Sequence, residues 1–215
     1  MNKKDLKLGA VIGGAVGVLF QPIATNVLHG SVKLTAMLGT SALSWGMRFA
    51  IFFAFLVHAP LALWIFSLFG KILPSLYQFG KFAAVGVLNS VMNVGVITLL
   101  STVAGVTVGP LIPVFAVVGF AASTTNSYLW NKFWTFQSDT KSHAAEAVKF
   151  YSIAAVGAVL NVGTVSVVVN YLRPVSISSE LWIVIGGLCG VAASFLWDFF
   201  GYKYFVFGKK AEAVN

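Results

Sequence analysis

The chain has 215 residues, with 14 lysines and arginines against 6 acids and a formal net charge of +8; 58% of its residues are hydrophobic and only 9% charged. That balance excludes a soluble domain, whose surface needs more charge, and describes an integral membrane protein. A nucleic-acid partner is excluded because the basic residues stand singly between apolar runs, and the lone Cys189, inside such a run, provides neither a disulfide framework nor a thiolate metal site.

The start, MNKKDLK followed by apolar Leu8 to Phe20, imitates a secretory signal, but no clean small-x-small cleavage site follows. Leu8 to Leu28 is long enough to cross a bilayer, with Gln21-Pro22 placed to kink it or end it early. Gly9, Gly13 and Gly17 recur every fourth residue and form a smooth stripe, which predicts close packing against another helix of this chain or of a second copy. Residues 29 to 46 read as a connection with a short interfacial helix. Met47 to Phe69 is a second span, with His58 expected to bond a carbonyl freed by Pro60. Phe82 to Val103, Val108 to Trp130, Phe150 to Leu172 and Leu181 to about Phe200 complete six spans. Lysines collect in residues 131 to 149 (Lys132, Lys141, Lys149) and in the tail (Lys203, Lys209, Lys210), whereas residues 104 to 107 carry no charge. The positive-inside rule then predicts that both termini are cytoplasmic; Lys33 and Arg48 run against it.

Two stretches repeat. Asn126 to Phe136 (NSYLWNKFWTF) is echoed by Ala193 to Phe207 (ASFLWDFFGYKYFVF). Aligning the Leu-Trp pairs relates Asp198 to Asn131 and leaves four extra residues in the second copy. Upstream, Lys81 and Asn93 are spaced like Lys149 and Asn161. The fold class is therefore all-α and membrane-embedded, the last four of its six helices forming a pseudo-repeated pair of hairpins. Trp130, Trp134, Trp197 and Tyr202 are predicted to form an aromatic belt at headgroup depth.

Polar residues within the hairpins fall at spacings of three and four, so each set shares one helix face: Asn89 with Asn93, Ser123 with Asn126, Asn161 with Thr164, and Ser194 with Asp198. Amides cost several kcal/mol when left unsatisfied in hydrocarbon, at roughly the scale of a lost hydrogen bond, so these faces should meet protein or water in a polar interior. Interhelical glue is the plainer use of such asparagines, and a path for something polar the sharper one. There is no HExxH, no P-loop, no dinucleotide fingerprint, no nucleophile elbow and no working pair of carboxylates, so neither catalysis nor a metal or cofactor is expected.

In Phe79 to Leu100, Asn126 to Phe136, Val148 to Gly163 and Lys203 to Phe207 the chain resembles the GtrA-like family of small membrane proteins with four spans. The likeness covers about residues 78 to 207, leaving 1 to 77 as an N-terminal extension with two spans and 208 to 215 as a short tail. It implies translocation of a polyprenyl-phosphate-linked sugar across the cytoplasmic membrane, beside a membrane-bound glycosyltransferase. On that reading Lys132, Lys203, Lys81 and Lys149 would meet the lipid phosphate. Asn89, Asn93, Ser123, Asn126, Asn161, Ser194 and Asp198 would line a groove for the sugar. Two other classes stay open: a non-transporting anchor or regulator of the glycosyltransferase, and a small proton-coupled cation exporter. The exporter needs a carboxylate deep in the membrane, whereas Glu146 and Asp198 lie near span ends.

Overall fold

The computed structural model describes residues 1–40, 42–139, 143–172, 174 and 179–208, the last stretch without the side chains of 179–181. Of the residues weighed above, Lys141, Lys209 and Lys210 lie outside it. Six helices long and apolar enough to cross a membrane are present, and no strand occurs among the described residues. The protein is a multi-pass membrane protein. The chain divides into two compact units, Met1–Thr135 and Phe136–Asn215.

In the first unit, α1 (Lys3–Gly30) starts where Asn2 Oδ1 accepts the Asp5 backbone N–H at 2.7 Å. It runs through Pro22 without ending: Gln21 Nε2 donates back to the Gly17 carbonyl and the Thr25 hydroxyl to that of Gln21, so side chains support the backbone around the proline. Ser31 caps α2 (Val32–Leu38), the short helix expected in the connection. Ser44 likewise caps α3 (Trp45–Phe69). Then α4 (Pro74–Ala104) opens on a proline, whose missing N–H has no helical partner to lose, and stops at Gly105 in the left-handed conformation (φ 64°). Finally α5 (Leu111–Trp130) passes directly into a π-helical turn, Asn131–Thr135.

The glycine stripe is where α1 meets α3. A Cβ at Gly9 would press on Leu63, at Gly13 on the backbone of Phe55 and Leu56, and at Gly17 on that of Phe52. Close backbone approach lets Ile12, Val16, Leu63, Val85, Leu88 and Trp134 form one buried cluster, bringing α1, α3, α4 and the π-turn together. The resemblance divides the chain near residue 78, whereas compactness does not: α1 and α3 share a core with α4. His58 bonds the Ala54 carbonyl at 2.7 Å, its own helical predecessor, and not the Leu56 carbonyl that Pro60 releases.

In the second unit, α6 (His143–Tyr171) begins well before the expected Phe150 and packs on α7 (Ser179–Gly201), which also ends in a π-helical turn, Tyr202–Val206. Phe150 is fully buried and stacks on Tyr202, with ring centroids 4.0 Å apart. Phe136 and Phe207 stack beside them at 5.1 Å.

Candidate functional site

Each hairpin holds amide or carboxyl groups against the partner helix. Between α4 and α5, Asn126 Nδ2 donates to Asn89 Oδ1 at 2.7 Å. One turn further along α4, Asn93 lies over Gly119, where a Cβ would come within 2.6 Å of its Oδ1. That oxygen is buried and accepts no hydrogen bond. Between α6 and α7, Asn161 lies over Gly190 in the same way, its carbonyl 2.9 Å and its Nδ2 3.3 Å from where a Cβ would sit. The Asp198 carboxyl lies over Gly157, with Oδ1 buried and unbonded. Ser123 and Ser194 are turned to their own helices, bonding the carbonyls of Phe120 and Val191. Glycine is needed at these crossings because any side chain would displace the polar group opposite.

Lys132 and Lys203 each occupy the second position of a π-turn. Gly119 and Gly190, which face the equivalent Asn93 and Asn161, precede them by the same number of residues. The two copies are therefore in register with no insertion. The four-residue insertion suggested by the Leu-Trp pairs disappears, and Asp198 corresponds to Ser127, not to Asn131. The Leu-Trp pair simply stands one turn earlier in the second copy. π-turns within α-helices concentrate at functional sites, since they redirect a side chain and loosen the carbonyl ladder.

The lysines differ in surroundings. Lys132 is 2% exposed, and its Nζ lies 3.2 Å from the Tyr128 hydroxyl. Lys203 is half-buried, its ammonium over the rings of Tyr204 and Phe199 at 5.4 and 5.7 Å. Lys149 is exposed. Lys81 is buried and ion-paired with Asp5 at 2.9 Å. The Asp5 carboxylate also accepts the Tyr77 hydroxyl at 2.8 Å and the Trp134 indole N–H at 2.7 Å. In the first turn, Asn131 is fully buried; its Nδ2 donates to Ser127 while its Oδ1 stays unbonded, as does Thr135 Oγ1.

The predicted aromatic belt divides. Trp197, 39% exposed and donating to the Ile153 carbonyl, and half-buried Trp130 remain toward the surface. Trp134 and Tyr202, each 3% exposed, are packing residues, because the π-turns direct them inward. Sequence reasoning passed over Asp5 and Tyr77, and it treated Glu146 only as a span-end acid. Glu146 is in fact buried and accepts the Ser138 hydroxyl. A cavity of about 650 Å³ lined by Gln21, Leu43, Trp45, Arg48, Phe49 and Phe52 contains none of the candidate residues.

A family model described as the GtrA/DPMS transmembrane domain matches residues 81–211, more than half of the chain. The chain is also similar to the "Uncharacterized membrane protein YngA" of Bacillus subtilis (strain 168), 30% identical over 138 residues that cover 63% of this chain and 83% of that protein. No solved structure matches.

Proposed function

Because the chain belongs to the GtrA/DPMS family of transmembrane domains, linked to glycolipid or polysaccharide synthesis and generally non-catalytic, we propose that it moves a polyprenyl-phosphate-linked sugar across the cytoplasmic membrane. Both termini are cytoplasmic in this reading, and a membrane-bound glycosyltransferase supplies the lipid.

The observation that carries the proposal is the recurrence of one arrangement in both hairpins: an asparagine over a glycine, and at the same distance beyond that glycine a lysine in a π-turn. Lysine suits a phosphate as a point charge, and amides offer both donors and an acceptor to sugar hydroxyls. The isoprenoid stays in lipid, each hairpin offers a phosphate its own π-turn lysine, Lys132 in the first and Lys203, with Lys149 in reserve, in the second, and the amides of that hairpin meet the sugar. Facilitated diffusion or an ion gradient drives the step.

A role as a non-transporting partner of the glycosyltransferase is the competing reading, and the near-complete burial of Lys132 favours it. The test is binding and transbilayer movement of a polyprenyl-phosphate sugar in proteoliposomes. Lys132→Gln and Lys203→Gln should each lose a charge-assisted contact of roughly 1.5–3 kcal/mol, tenfold or more in affinity. Exposed Lys71→Gln should lose nothing. Binding unchanged in both π-turn variants at normal melting temperature would exclude the phosphate role, and binding without movement would favour the partner role.

A further inference from the structure

Three donors from two elements converge on one buried carboxylate. The Lys81 ammonium and the Tyr77 hydroxyl, both from α4, meet Asp5 Oδ2 at 2.9 and 2.8 Å, and the Trp134 indole N–H from the first π-turn meets Oδ1 at 2.7 Å. An ammonium and an indole N–H can only donate, so the arrangement is built for an anion, and nothing in the donor geometry distinguishes a carboxylate from a phosphate. Lys81 and Trp134 lie within the residues the family model matches and Tyr77 stands one turn before Lys81 on the same helix, whereas the acid comes from α1, well outside them. We propose that Tyr77, Lys81 and Trp134 form a phosphate-binding site and that Asp5 is its tethered, displaceable occupant.

Asp5 is suited to leave. It stands in the first turn of α1, held there by the Asn2 cap, one turn before Gly9, the first glycine of the seam with α3. Helix ends open at low cost, so Asp5 can withdraw without disturbing the glycine seam. The lysines around it, Lys3, Lys4 and Lys7, are exposed and face whatever anionic surface lies at that end of the helix. In the second hairpin Lys149, which stands to Asn161 as Lys81 stands to Asn93, is exposed, whereas Lys81 is buried against Asp5. Of the three donors only the lysine recurs there, since Ala145 and Phe205 stand where Tyr77 and Trp134 do, so the phosphate position closed by the chain itself belongs to the first half.

The inference deepens the proposed function and takes its physiological meaning from it, but its test needs neither a sugar nor transport, so the two can fail separately. Binding of dihexadecyl phosphate to the full chain in detergent is measured for the unmodified protein, Asp5→Asn, Asp5→Glu and Asp5→Asn with Lys81→Gln. Asp5→Asn is expected to bind at least tenfold more tightly than the unmodified protein, Asp5→Glu no more tightly, and the double variant to lose the gain. Exposed Asp139→Asn makes the same change in net charge and should gain nothing. If inorganic phosphate competes, the site reads the phosphate group itself; if it does not while the gain persists, the site is one for lipid headgroups. Equal affinity of Asp5→Asn and the unmodified protein overturns the proposal, as does a gain that survives Lys81→Gln. Asp5→Ser provides a second opening of the site should Asp5→Asn fail to fold. Failure of both to insert and purify would make Asp5 a structural requirement and would equally overturn it.

Discussion

Gly13 and Gly14 are adjacent on α1, yet their replacement by alanine is expected to act in opposite directions. At Gly13 the new Cβ would strike the Phe55 carbonyl oxygen and come within 3.0 Å of Leu56 Cα, both backbone atoms of α3. Backbone cannot rotate out of the way, so the two helices must part along a seam that Gly9 and Gly17 also hold closed. Overpacking of this kind costs about 1–3 kcal/mol, against which alanine's helix propensity returns at most about 1 kcal/mol. At Gly14 the nearest atoms are the side-chain carbons Leu56 Cδ1 at 3.7 Å and Phe52 Cε2 at 3.9 Å, which is ordinary contact. There alanine should stabilise by about 0.4–1 kcal/mol, chiefly by narrowing the unfolded ensemble. With about 2–4 °C of melting temperature per kcal/mol for a chain of this size, thermal unfolding in detergent should place Gly14→Ala above the unmodified protein and Gly13→Ala below it. Equal melting of the two variants, or the reverse order, would refute the backbone-contact account of the stripe.

Further outcomes are open to measurement. A double-mutant cycle on Asn89→Ala and Asn126→Ala, followed by unfolding in sodium dodecyl sulfate, should give a coupling of about 0.6 kcal/mol and no more than about 2; zero coupling would mean that the amides do not bond each other in the membrane. In a Cys189→Ser background, Thr107→Cys should react with an impermeant thiol reagent from outside and Asp139→Cys only after permeabilisation, and labelling of both from one side would remove the six-span topology. Tyr202→Leu should destabilise by about 0.5–1.5 kcal/mol beyond the area lost, because its ring stacks on Phe150. A melting temperature that does not move would return Tyr202 to the surface belt.

The spans were legible because about 20 apolar residues in a row have few other uses, and the glycine stripe because a four-residue period maps onto one helix face. Opposed polar faces could also be read from spacing, since Asn89 and Asn126 lie on the sides that meet. The register of the second copy was not legible. Leu-Trp is a conspicuous pair but a common one in membrane helices, whereas the glycine contacts that set the register become evident only once the helices are packed. The π-turns leave no mark in composition, and without them Trp134 and Tyr202 look like any interfacial aromatics. Asp5 was hidden for another reason: its partner Trp134 is 129 residues away, and no local pattern reports such a pairing.

The paired π-turns also bear on how this chain arose. A π-turn is a local irregularity that an α-helix acquires when one residue too many is accommodated in it, and it is seldom found by chance. Here the irregularity occurs twice, at the same remove from a glycine crossing and with lysine in the same position. The most economical history is that a single ancestral hairpin already carried the extra residue when it was duplicated. The two copies now differ in their asparagines, aspartate and aromatics, but both have the irregularity. The α1–α3 pair has no second copy among the described residues, and its acid meets the lysine of only the first hairpin.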